Sequence, residues 1–152
     1  MTRPLCAFRQ SPISVKNSLN PYSILIPVLR PDQLVSAILD NKPDTMIQFY
    51  LTWGRPYGEQ TLCESMEQFC SYESMQAALT SRYTSFACLN KPARLAPVGE
   101  AFRRVKLLDY DIEDQYFHSL YVPGDHHPSL MGSYLSALLH FMSLYKVPVV
   151  RR

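Results

Sequence analysis

Thr45-Met46-Ile47-Gln48-Phe49-Tyr50-Leu51-Thr52 is the clearest strand in the chain. It is rich in β-branched and aromatic residues, with Lys42-Pro43-Asp44 before it and Trp53-Gly54 after it. Apart from Gln48 it is apolar on both faces. That pattern suits a central parallel strand covered by helices on both sides rather than a strand with one wet face. Working outward, residues 32–41 predict a short amphipathic helix. Asp32 is its N-cap, and Leu34, Val35, Ile38 and Leu39 share one face. On the other side Trp53-Gly54-Arg55-Pro56-Tyr57-Gly58 breaks the chain at the carboxyl end of the strand, the end that carries ligand sites in α/β folds. Two readings stay open there. Trp53, Gly54 and Arg55 line a binding site, or Trp53 is a lid on the sheet edge and Arg55 pairs with a nearby acid.

Residues 59–71 read as a polar connection holding Cys63 and Cys70. Residues 72–89 predict a helix capped by Ser71, with Glu73 favourable in the first turn, Ser74 of no help in the cap, and Met75, Ala78, Leu79, Tyr83 and Phe86 as its apolar stripe. A short strand over 93–98 follows, then a helix from Gly99 with Phe102, Val105 and Leu108 at helical spacing. The acids of residues 109–118 read as a solvated loop face, since the glycine turn and spacing of a calcium loop are absent. Ser129 caps a last helix. Leu130, Tyr134, Ala137, Leu138, Phe141 and Tyr145 form one face of it, and Met131, Leu135, Leu139 and Met142 extend that face almost all round. Such a helix is expected to be buried on several sides. Gly132 inside it costs roughly 1 kcal/mol against alanine, which points to close approach of another backbone.

This alternation predicts an α/β fold with a parallel sheet. Two strands cannot cover three or four helices, so residues 31–146 read as part of a larger α/β domain. Residues 1–30 are an irregular lead, broken by the apolar run Ile24-Leu25-Ile26, and residues 147–152 are a tail. A sheet edge left without its neighbours favours self-association.

Composition excludes several classes. A net charge of +2 with scattered basic residues gives no nucleic-acid surface, and no apolar run reaches the ~18 residues that span a bilayer. The first residues lack the apolar centre of a signal peptide, so a cytoplasmic start is the default expectation unless upstream sequence is missing. Cys6, Cys63, Cys70 and Cys88 have no C-x-x-C spacing. Free, partly buried thiols are the commoner state. A local Cys63–Cys70 disulfide is the alternative for an exported protein.

Chemistry concentrates in one turn, Pro123-Gly124-Asp125-His126-His127-Pro128. In serine hydrolysis an imidazole takes the hydroxyl proton and a carboxylate fixes its tautomer. A tight turn can fold Asp125 back onto a following histidine. By itself the cluster is weak, and loop histidines beside an N-cap are the commoner case. Metal ligation by Asp125, His126, His127 and a distant His118 or His140 is disfavoured, because adjacent histidines point in different directions. No metal and no cofactor is called for.

Read together, three segments resemble the carboxyl-terminal half of an SGNH (GDSL-like) hydrolase. They are Thr52-Trp53-Gly54-Arg55, Pro97-Val98-Gly99-Glu100-Ala101, and His127-Pro128-Ser129 with Gly132-Ser133-Tyr134-Leu135, in that order across roughly residues 31–145. The resemblance implies a partial three-layer α/β/α sandwich of flavodoxin-like topology. It implies hydrolysis of acyl esters of small molecules, carbohydrates or lipids by a Ser–His–Asp set without a metal. It makes His127 the general base and Asp125 its partner, with Trp53, Gly54 and Arg55 beside the substrate. The family places its acid three residues before the histidine, where this chain has Gly124. The chain contains no Gly-Asp-Ser, Gly-Asn-Ser or Gly-x-Ser-x-Gly, and the family's oxyanion blocks are not recognisable. A histidine without a hydroxyl in reach has nothing to activate. The expectation is therefore a base-bearing half-domain that is not an efficient esterase alone. The alternative is a non-catalytic, truncated member kept for binding or subunit pairing, and an unrelated small α/β binding protein ranks last.

Overall fold

The computed structural model describes residues 31–108 and 115–146. Among these are six helices and a two-strand parallel sheet: α1 (Pro31–Asn41), β1 (Gln48–Tyr50), α2 (Gln60–Cys63), a 3-10 turn (Glu67–Phe69), α3 (Tyr72–Leu89), β2 (Arg94–Ala96), α4 (Val98–Leu108), α5 (Gln115–Ser119) and α6 (Leu130–Tyr145). The lead of residues 1–30, most of the acidic stretch and the tail of residues 147–152 lie outside the described residues.

β1 and β2 pair in register Gln48 to Arg94, Phe49 to Leu95 and Tyr50 to Ala96. Bonds from Arg94 N–H to Ile47 O (2.9 Å) and from Leu51 N–H to Ala96 O (3.0 Å) extend the ladder. Period-two alternation then sorts the helices. Phe49 points to α3, where its ring lies 5.9 Å from Phe86. Gln48 and Tyr50 point to α6. There Gln48 Nε2 is 2.7 Å from His140 Nδ1, and the Tyr50 and His140 rings lie 4.5 Å apart. The strand is shorter than residues 45–52 and less covered than expected, with Met46 and Tyr50 exposed and Leu51 buried.

Helix capping follows local sequence closely. α1 begins at Pro31, so Asp32 stands in the first turn rather than at the cap. There it still faces the positive end of the helix dipole. α3 has Ser71 at its N-cap, and Ser74 returns the bond in a reciprocal capping box, so Ser74 is not the idle residue expected. The buried residues of α3 are Tyr72 and Gln76, whereas Ala78 of the expected stripe is exposed. Residues 59–71 are not a plain connection. Gly58 (φ 74) turns the chain, Glu59 N–H donates to Phe69 O at 2.7 Å, and α2 folds back on the 3-10 turn. That closure brings the Cα atoms of Cys63 and Cys70 to 4.6 Å and a disulfide joins them. The expectation of free thiols is thereby corrected, and among the described residues no cysteine is free.

The core sits at the carboxyl end of the sheet. Tyr72, Ala96, Val98, Phe102, Phe117, Leu120 and Tyr121 form it, with Trp53, Val105, Leu135 and Leu139 packed on its rim. Its aromatic rings run in a chain. Trp53 stacks on Phe102 at 5.2 Å, Phe102 meets Tyr121 edge-on at 5.5 Å, and Tyr121 meets Phe117 at 5.3 Å. Among the described residues the Tyr72 hydroxyl is buried with no hydrogen-bond partner. Removing an orphaned polar atom is close to neutral or favourable. Tyr72→Phe is therefore expected to leave stability unchanged or raise it by up to about 1 kcal/mol in urea denaturation. A loss of more than 1 kcal/mol would mean that the hydroxyl has a partner after all.

α6 departs most from its sequence pattern. The sheet-facing side is Gly132, Leu135, Ser136, Leu139 and His140. The side expected to be buried, with Leu130 (89% exposed), Tyr134 (65%), Phe141 (52%) and Tyr145 (67%), faces outward. Small residues settle the choice. A Cβ at Gly132 would come within 2.2 Å of the Leu120 carbonyl oxygen, so the helix lies directly on that backbone, as the glycine foretold. No helix among the described residues is long and apolar enough to cross a membrane.

Candidate functional site

The turn before α6 is built by its own sequence. Asp125 N–H donates to Val122 O at 3.0 Å, enclosing Pro123 and Gly124. Gly124 has φ 76. Proline then a left-handed glycine is the signature of a type II turn. Two more bonds close the base of the loop, from Val122 N–H to His127 O (2.9 Å) and from Ser129 N–H to Leu120 O (2.8 Å). Ser129 caps α6, accepting from Gly132 N–H at 3.2 Å and donating to Ser119 O at 2.6 Å. The turn is therefore fixed at both ends to α5 and α6.

Asp125 folds back over the two histidines. Its Oδ1 accepts the His126 N–H at 2.6 Å. His127 Nδ1 lies 2.9 Å from both carboxylate oxygens. An acid two residues before the histidine thus reaches the ring, because the glycine turn delivers the carboxylate directly above it. The hydrogen bond from His127, followed by that from the His126 backbone, holds the Asp125 carboxyl down at about 2. At neutral pH the carboxylate is an acceptor only, so the bond requires the His127 proton on Nδ1. In the neutral form of the ring Nε2 then carries the lone pair, on a side chain that is 66% exposed. The depressed Asp125 pKa implies a contribution present above the ordinary carboxylate range and lost as pH falls through about 2. Following the Asp125 carboxyl carbon by NMR should show ionisation persisting to about pH 2. His127→Ala should move the midpoint upward, and an unshifted midpoint would contradict the pairing.

Of the expected site residues, Trp53 bonds to the histidine turn and Gly54 to Tyr121 at its base, whereas Arg55 is engaged by Glu59 instead. Trp53 Nε1–H donates to His126 O at 3.0 Å, fastening the histidine turn to the chain that leaves β1. Gly54 is buried with both backbone groups occupied. Its N–H donates to Gln76 Oε1 at 2.7 Å, and its carbonyl accepts from the Tyr121 hydroxyl at 2.8 Å. Burial drives the Tyr121 hydroxyl pKa well upward, so it remains a donor. Arg55 pairs with Glu59 across one turn.

Gln76 is the residue the sequence reading passed over. It is fully buried, and it links Gly54 to Thr80 (3.3 Å), whose hydroxyl donates to Glu100 at 2.5 Å. The signal was present, since Tyr72, Gln76 and Thr80 recur every four residues and share one helix face. Glu100 belongs to the Pro97–Ala101 segment and also holds Arg103 at 2.7 Å. Gln76 thus joins the first quoted segment to the second, while Trp53 joins the first to the third.

His126 and His127 are side by side, with rings 4.4 Å apart and tilted by 32°, not directed apart as the sequence reading expected. One ligand atom from each of Asp125, His126 and His127 lies within 4.8 Å of the others. His140 is engaged by Gln48 and His118 stacks on Tyr57, so neither adds to that trio. Asp125 is the only hydrogen-bond partner of the His127 ring among the described residues, and no serine hydroxyl meets it. Comparison with protein-family models, curated proteins and solved structures finds no match to this chain.

Proposed function

We propose that these residues are the base-bearing part of an SGNH-type serine esterase, a three-layer α/β/α domain whose parent reaction is hydrolysis of acyl esters. One observation carries the reading. His127 Nδ1 sits 2.9 Å from both oxygens of Asp125, in a turn tied by Trp53 to the carboxyl end of a parallel strand. That leaves Nε2 free to take a proton from a serine hydroxyl as it attacks the ester carbonyl, and to return it to the departing alkoxide. Asp125 holds the tautomer throughout. The disposition of α3 on one side of the sheet and α6 on the other supports the layered architecture. Trp53, bonded to the His126 carbonyl, stands at this turn, and with Gly54 and Arg55 it would border an acyl substrate. The chain carries no Gly-Asp-Ser or Gly-Asn-Ser, so the serine and the oxyanion donors are to be sought in sequence beyond these 152 residues.

The outward face of α6 and the open edges of a two-strand sheet also fit the second reading, a non-catalytic chain kept for pairing with another subunit. The coding sequence upstream of Met1 separates the two. A Gly-Asp-Ser or Gly-Asn-Ser following a hydrophobic strand in frame supports the esterase. An in-frame stop there removes the enzyme reading and leaves the pairing one.

A further inference from the structure

A groove of about 1030 Å³ runs between α3 and α4. Ala77, Leu89 and Leu107 give it apolar walls, with Leu89 77% and Leu107 50% exposed. Cys88 lies on the same wall and is disulfide-bonded. The chain has four cysteines, and Cys63 and Cys70 are bonded to each other. Within one chain, only Cys6 is left to pair with Cys88.

We propose that this groove is the seat of the chain's own amino-terminal segment, fastened by a Cys6–Cys88 disulfide. The chemistry of the segment fits. Cys6 is flanked by Leu5, Ala7 and Phe8, apolar groups for the uncovered leucines of the groove. Reach is not limiting. α1 packs against α3, and the residues between Cys6 and Pro31 span up to about 80 Å when extended. Bond formation removes two protons and two electrons from the two thiols. A disulfide oxidant, a thiol oxidoreductase in its oxidised form, accepts them and is reduced to its dithiol. A chain that holds two such bonds belongs in an oxidising compartment rather than in the reducing cytosol, which replaces the default expectation from its first residues. This inference stands independently of the esterase reading.

The test is a tryptic digest of the full chain, produced in an oxidising compartment, thiol-blocked and never reduced. The expected product is residues 1–9 linked to residues 83–94. Blocked Cys6, or a Cys88 linked between two chains, overturns the bond. Seating is tested by hydrogen exchange in Cys6→Ser, which should raise exchange several-fold over residues 84–89 and 103–107. Should Cys6→Ser fail to fold, Leu89→Asp replaces it. That exposed substitution keeps the disulfide and should speed tryptic cleavage after Arg9 about five-fold. Unchanged exchange, or unchanged cleavage in Leu89→Asp, shows a tether without a seat and overturns the proposal.

Discussion

Gly99→Ala should lower stability by about 3 kcal/mol, the largest effect expected of any single methyl group in the protein. A Cβ there would lie 2.1 Å from the Thr52 carbonyl oxygen and 2.4 Å from Gln76 Nε2. Neither neighbour can retreat cheaply. Gly99 N–H donates to Leu51 O at 2.8 Å, and Gln76 is held between Gly54 and Thr80. The first turn of α4 must therefore lift off β1, and Val98 and Phe102, both fully buried, go with it. Gly124→Ala is the internal control. Nothing lies within 4 Å of its added Cβ, so only the positive φ is penalised, at roughly 1–2 kcal/mol. Urea denaturation of both variants reads the difference. Equal losses would mean that the close approach of α4 to β1 is not what the glycine serves.

The second large effect is on activity. In the protein that carries the serine, His127→Ala should reduce ester hydrolysis by roughly 10³-fold or more, with KM little changed. Asp125→Asn should also cost a large factor. The amide can donate as well as accept, so it no longer requires the proton on Nδ1. Both side chains stand at the surface, 66% and 41% exposed. The stability of either variant should stay within about 0.5 kcal/mol of the parent. That separation distinguishes a base and its orienting acid from residues that merely close the turn. A fall in activity matched by a fall in stability would favour the structural role.

Local chemistry made much of the fold legible. Ser71, Ser129 and Gly132 foretold two caps and a backbone contact, because capping and close approach are decided by a few neighbouring residues. The direction of α6 was not legible. Its sequence is apolar almost all round, so periodicity could not name the inner face. Gly132 and Ser136, the two buried residues of the helix, set it by allowing contact. α5 and the looped pair α2 and 3-10 turn escaped for a different reason. Each is too short to repeat an amphipathic pattern and is held by tertiary contacts: Phe117 in the core, and Cys63 bonded to Cys70. At the site, the spacing of Asp125 and His127 looked one residue short, and sequence alone does not state the path of a type II turn. Geometry brings Trp53, Gly54 and the histidine turn together, while Gln76, which binds the first two quoted segments to each other, was hidden among the polar residues of α3.

The most direct measurement is to isolate the protein from its own source with an antibody to this chain, label it with a serine-directed fluorophosphonate, and map the modified residue. The account predicts one labelled serine in sequence beyond these 152 residues, and loss of labelling in His127→Ala. A labelled serine within the 152 residues, labelling that survives His127→Ala, or no labelling at all would contradict it.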